Sequence, residues 1–196
     1  MKTCTKLPPS HQGRLLARIE LEKSKLLARL IKTVQAVLAV VLLAAGGLFL
    51  PFSALTELPE PFEHLFVLML GMLSVSILQE LTRGFLMRIF SGVKPVLRFT
   101  GAYLHAGCEA YFDRQSEQII NLSPVVLPAA ILIILLFSVS DPSWKWMVWI
   151  ILIVELCFSV GYGYASMRFQ QMPQDIFVQN IGSTYLVYSS QGEPGE

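Results

Sequence analysis

The stretch QELTRG, residues Gln79–Gly84, puts a carboxylate and a guanidinium close together inside a long apolar run from Phe62 to Phe90. Charged residues make up 15% of this chain of 196 residues, whereas soluble domains carry about 25%. Hydrophobic residues make up 54%. This composition predicts an integral membrane protein, in which a charge inside an apolar run is a candidate functional residue. The formal net charge of +1 suggests no nucleic-acid partner.

Four apolar runs are each long enough to cross a bilayer, which takes about 20 residues. They are Thr33–Phe52, Phe62–Leu81 (its helix continuing to Phe90), Ile119–Val139 and Trp144–Met167. Every lysine and arginine except Lys145 then falls on one side of the membrane, which the positive-inside rule assigns to the cytoplasm. We expect both termini to be cytoplasmic and the membrane to be a bacterial-type plasma membrane.

The segments outside the apolar runs are expected to lie on the cytoplasmic side. Residues 1–32 form a basic segment, with an amphipathic helix predicted over Arg14–Lys32. Residues 33–168 form the transmembrane domain, with a hairpin insert at about residues 91–118. Residues 169–196 form a C-terminal hairpin and tail, because Asp175–Tyr188 alternates in polarity. The predicted fold is therefore mainly α, with four transmembrane helices and short β-hairpins.

Several polar residues lie in or beside the apolar runs. Asn121 and Ser123 stand at the start of the third run, and Glu155 lies about ten residues deep in the fourth. Asparagine and serine in membrane helices form hydrogen bonds between helices. A polar groove is therefore a candidate site, and its members are Glu80, Arg83, Asn121, Ser123, Glu155 and Tyr162.

Gln79, Glu80 and Arg83 occupy the positions of a zinc-protease motif, H-E-x-x-H, whose two histidines are replaced. In that motif the histidines at i and i+4 bind the metal, and the glutamate is the general base. Glu80 and Arg83 are spaced to pair on one helix face. We expect the Arg83 guanidinium to neutralise Glu80 and to occupy the vacated metal region. The alternative is that Arg83 extends to the lipid headgroups.

The order of short motifs from about Phe62 to Tyr188 resembles the zincin-like membrane metallopeptidases, compact relatives of the site-2 proteases. The motifs after QELTRG are Ser91–Pro95, Gly101–Tyr103, Arg114-Gln115 leading into Leu122–Pro124, Gly161–Gly163, and Pro173-x-Asp175 with its hairpin. The resemblance implies a third, acidic zinc ligand near Tyr162–Tyr164, where this chain has none. It therefore implies a degenerate site that has lost its zinc.

These features favour a non-catalytic multi-pass membrane protein, a pseudoprotease acting as a scaffold, adaptor or accessory subunit. Its expected partners are the lipid bilayer and another membrane protein or a second copy of itself. One alternative is a transporter or channel component with Glu155, Asn121 and Glu80 along a polar path. Another is an active metallopeptidase with relocated ligands, for instance His105, Cys108 and Glu155, and Glu80 as base.

Overall fold

Each predicted apolar run forms a helix in the computed structural model, which describes residues 15–20, 25–56, 60–100, 103–181 and 184–189. The helices are α1 (Lys25–Phe49), the single turn α2 (Ser53–Thr56), α3 (Pro61–Ser91), α4 (Arg114–Ser138) and α5 (Pro142–Gln170). All except α2 are long and apolar enough to cross a membrane. Over the described ranges, the prediction of a mainly helical chain with four such helices is confirmed.

All four long helices begin before the predicted apolar runs, and aspartates cap two of them. The Asp113 carboxylate accepts the backbone N–H of Ser116 at 3.0 Å, so α4 begins at Arg114. The Asp141 carboxylate accepts the backbone N–H of Ser143 at 2.8 Å, at the start of α5. These contacts satisfy amide groups that have no partner within the helix. A prediction from hydrophobicity alone therefore places the first turns of α4 and α5 too late.

The strands form two antiparallel sheets. The larger contains β1 (Leu15–Glu20), β4 (Tyr111–Asp113), β5 (Ile176–Ile181) and β6 (Thr184–Ser189), in the order β1-β6-β5-β4. The smaller is a hairpin of β2 (Val96–Thr100) and β3 (Tyr103–Gly107). Both predicted hairpins are therefore present. Their side of the membrane stays a prediction.

The amphipathic helix predicted over Arg14–Lys32 is wrong in its first part. Leu15–Glu20 form β1, which pairs with β6 and places Ile19 opposite Tyr185. Ile19 is buried in the resulting core, so pairing with a distant strand overrides the helical pattern. The helix begins only at Lys25. Residues 1–14, 21–24, 57–59, 101–102, 182–183 and 190–196, which include the predicted tail, lie outside the described residues.

The chain divides into two compact units. Unit 1 comprises Met1–Ala28, Glu80–Pro124 and Gly161–Glu196, and unit 2 comprises Arg29–Gln79 and Val125–Val160. Unit 1 therefore contains both sheets, the C-terminal part of α3, the N-terminal part of α4 and the C-terminal part of α5. Unit 2 contains most of the four long apolar helices.

Unit 1 has two apolar cores. One packs the larger sheet against the end of α5, and its buried members are Ile19, Ala165, Phe169, Ile176, Val178, Tyr185 and Val187. The other surrounds the end of α3, and its buried members are Met87, Ala106, Cys108, Ala110, Phe112 and Ile120. The second core therefore packs the C-terminal part of α3 against β3, β4 and α4.

Unit 2 is held together by close contacts between its helices. Trp149 of α5 donates its indole N–H to the Leu42 carbonyl at 3.1 Å and packs directly on Gly46 of α1. Farther along the same two helices, Gln35 donates to the Cys157 carbonyl at 2.9 Å. Close approach at a small residue and hydrogen bonds between helices are typical of membrane helix pairs.

We expect Gly46→Ala to destabilise the protein by about 1–3 kcal/mol, because the added methyl group would overlap the Trp149 indole, 2.7 Å from its Cδ1 atom. Thermal unfolding in detergent measures the effect. Gly163→Ala in α5 is the control, since nothing lies within 4 Å of the methyl group it adds. Equal melting temperatures for the two variants would contradict this packing.

Candidate functional site

The C-terminal part of α3 turns Glu80 and Arg83 into the interior of unit 1. Their exposed fractions are 5% and 1%. One helical turn separates them, and the Arg83 Nη1 atom lies 3.9 Å from the Glu80 Oε1 atom. An arginine this buried does not extend to lipid headgroups, so the alternative drawn from the sequence is wrong. The geometry is instead that of a buried ion pair.

Both carboxylate oxygens of Glu80 accept hydrogen bonds from the protein. The backbone N–H of Ala106 in β3 donates to Oε2 at 2.7 Å. The Tyr162 hydroxyl of α5 donates to Oε1 at 2.8 Å. Hydrogen bonds to a carboxylate stabilise its charged form. Glu80 is therefore held in place by two elements besides its own helix.

Arg83 is held by a tyrosine and an asparagine. Its Nη2 atom donates to the Tyr185 hydroxyl of β6 at 2.8 Å and to the Asn121 Oδ1 atom of α4 at 3.3 Å. The Tyr185 hydroxyl in turn donates to Asn121 Oδ1 at 3.0 Å. The Arg83 Cζ atom also lies 4.9 Å from the centre of the Tyr162 ring, close enough for a cation–π contact.

A second buried carboxylate stands one helical turn before Asn121. Glu117 of α4 accepts a hydrogen bond from the Asn180 side-chain amide of β5 at 2.6 Å, and both residues are completely buried. Asn180 pairs with Tyr185 across the β5–β6 hairpin. Paired residues of an antiparallel sheet project from the same face, so the hairpin presents both side chains to this interior. We call these residues, with Glu80, Arg83, Asn121 and Tyr162, the arginine cluster.

The Tyr185 phenol stays protonated under ordinary conditions. Burial raises the pKa of Tyr185 to about 12, although the neighbouring Arg83 guanidinium acts in the opposite direction. A protonated hydroxyl can donate to Asn121 while it accepts from Arg83. Tyr185 therefore links the guanidinium to α4 and to the C-terminal hairpin at once.

The motif residues do not fit the zinc ion that the family resemblance implies. Arg83 places a permanent cation where a histidine would bind the metal, and guanidinium has no lone pair to offer. The Glu80 oxygens already accept hydrogen bonds. Within the described ranges, no three His, Cys, Asp or Glu side chains come together to hold a metal ion. This includes His105 and Cys108, which stand near the end of β3.

The structure brings together four of the six residues of the predicted groove: Glu80, Arg83, Asn121 and Tyr162. Ser123 is half-buried and forms no hydrogen bond with these four residues in the part of the chain that the structure describes. Glu155 belongs to unit 2, where its polar neighbour is Gln79; both are buried. The predicted groove is therefore not a single site within either unit.

Sequence reasoning missed Glu117, Asn180 and Tyr185. The one available signal was in the strands: Asn180 and Tyr185 take inward positions in the alternation of β5 and β6. A polar residue at such a position needs a buried partner.

No family model, curated protein or solved structure matches this chain.

We expect Arg83→Met to destabilise the protein by about 3–5 kcal/mol, because the change leaves buried carboxylates without their cation. Thermal unfolding in detergent, together with the folded yield, measures the loss. The control is Arg168→Met, since Arg168 is exposed at the end of α5. If both variants unfolded at the wild-type temperature, the buried ion pair would not exist.

Tyr185→Phe is expected to cost about 1–3 kcal/mol, because Arg83 and Asn121 each lose a buried hydrogen-bond partner. Tyr188→Phe on the same strand is the control, because Tyr188 is only half-buried and contacts Tyr111 through its ring. The difference between the unfolding free energies of the two variants gives the contribution of the Tyr185 hydroxyl to stability. A difference near zero would remove Tyr185 from the cluster.

Proposed function

We propose that this chain is a non-catalytic multi-pass membrane protein that serves as a scaffold, adaptor or accessory subunit. The chain resembles the zincin-like membrane metallopeptidases. We propose that it is a degenerate relative of them, in which a buried arginine takes the place of a metal site. It holds no zinc at the motif. In this proposal the membrane is a bacterial-type plasma membrane, and both termini lie in the cytoplasm.

The observation that carries this proposal is the state of Glu80. A general base must come within hydrogen-bond reach of an attacking water, whereas Glu80 is only 5% exposed. Both Glu80 oxygens instead accept hydrogen bonds from Ala106 and Tyr162. Arg83, one turn away, donates hydrogen bonds to Tyr185 and Asn121. The residues that would perform hydrolysis therefore hold the fold together.

The surface of the helices supports a role in the membrane. Large apolar side chains are exposed along α1 and α3, among them Val37, Val40, Phe66, Met69 and Leu73. Lipid or the helices of another membrane protein would cover such faces. We propose that part of this surface binds a membrane partner, either a second copy or another protein.

Metal analysis of protein purified without chelators, combined with a peptidase assay, tests the non-catalytic assignment. We expect far less than one zinc per chain, and no peptide hydrolysis above that of the Glu80→Gln variant. Native mass spectrometry from mild detergent tests the partner, which should remain bound at a fixed ratio.

One zinc per chain, with hydrolysis that a chelator and Glu80→Gln both abolish, would establish an enzyme and overturn the proposal. A single chain that carries only lipid in native mass spectrometry would count against the scaffold role.

A further inference from the structure

The arginine cluster contains more carboxyl groups than permanent cations. Its ionisable side chains at neutral pH are two carboxylates, Glu80 and Glu117, and one guanidinium, Arg83. All three are at least 95% buried, with exposed fractions of 5%, 0% and 1%. A buried charge without a counter-charge costs several kcal/mol. With both carboxylates ionised, one negative charge would remain uncompensated.

The two carboxylates are not equivalent. Glu80 accepts two hydrogen bonds and lies 3.9 Å from the guanidinium. Glu117 accepts one, from Asn180. The Asn121 side-chain amide, whose buried Nδ2 atom has no other partner, lies close to Glu117. Glu80 is therefore the more fully hydrogen-bonded of the two carboxylates.

Two buried oxygens indicate where a positive charge could be held. Glu117 Oε2 and Asn180 Oδ1 are both buried acceptors without a hydrogen-bond donor. They belong to side chains already joined at 2.6 Å. Buried polar atoms are almost always satisfied. Three buried donors of the cluster, Arg83 Nε and Nη1 and Asn121 Nδ2, also lack a partner, so the excess of carboxylates over cations, rather than the unpaired oxygens alone, calls for a positive charge at Glu117.

We propose that Glu117 and Asn180 form a binding site for one positive charge, carried either by a proton on Glu117 or by an alkali cation between the two oxygens. The charged and titratable groups around it are Arg83 and Glu80 of α3 and Tyr185 of β6, with Tyr162 of α5 in contact with the first two. The bound charge makes the cluster neutral as a whole.

The site joins two parts of unit 1. Glu117 lies in the first turn of α4, and Asn180 lies in β5 of the C-terminal hairpin. When the positive charge leaves, an ionised Glu117 remains buried beside the hairpin, and the attachment of the hairpin to α4 weakens. Occupancy of the site therefore controls how firmly the hairpin is held.

The test compares wild type with Glu117→Gln in the full chain in detergent. Glutamine keeps the acceptor for Asn180 and removes the charge that needs compensation. We expect its melting temperature to stay within about 2 °C of wild type, while Glu80→Gln falls well below both. A proton on Glu117 gives the carbonyl stretch of a neutral carboxylic acid in the infrared spectrum. That band should disappear in Glu117→Gln and remain in Glu109→Gln, a change at an exposed carboxylate.

The two sources of the charge give different results. The infrared band identifies a proton. If the band is absent, and exchange of sodium and potassium for choline lowers the melting temperature of wild type but not of Glu117→Gln, the ligand is an alkali cation. The proposal would be overturned if neither the infrared band nor the dependence on alkali cations were observed. It would also be overturned if Glu117→Gln failed to fold or melted at as low a temperature as Glu80→Gln. None of these results depends on zinc content, so the proposed function is tested separately.

Discussion

The burial of the Arg83 guanidinium is the constraint on which the rest of unit 1 depends. Removing a cation from water costs several kcal/mol unless partners surround it, and Arg83 obtains them from elements far apart in the chain. Tyr185 comes from β6 and Asn121 from α4, while Glu80 lies one turn away on α3. Glu80 is in turn fixed by β3 and α5. The polar interior therefore determines where the C-terminal hairpin lies, and the apolar cores around it complete the packing.

The motif that suggests a metallopeptidase does not act as one site in this structure. In an H-E-x-x-H helix the first and last positions share a metal ion. Here Gln79 has Glu155 as its polar neighbour in unit 2, whereas Arg83 belongs to the cluster in unit 1. The spacing of these residues puts Glu80 and Arg83 one turn apart. That spacing now serves an ion pair within unit 1.

The sequence predicts some features of this structure and not others, for physical reasons. The four long helices follow from hydrophobicity, because a run such as Ile119–Val139 has no other stable form in an apolar environment. Helix geometry allows Glu80 to pair with Arg83, but it does not decide between that pair and an arginine that extends to the lipid headgroups. Strand β1 does not, because Leu15–Glu20 read locally as helix and become a strand only beside β6. Glu117 and Asn180 are 63 residues apart in the chain, and no local pattern connects them.

The most direct test of the central claim is an experimental structure of the protein prepared with added zinc, with anomalous scattering data collected at the zinc edge. The account predicts a guanidinium bonded to Tyr185 and Asn121, and no anomalous peak within bonding distance of Glu80. An anomalous peak beside Glu80, with the Arg83 side chain displaced from the interior, would contradict it.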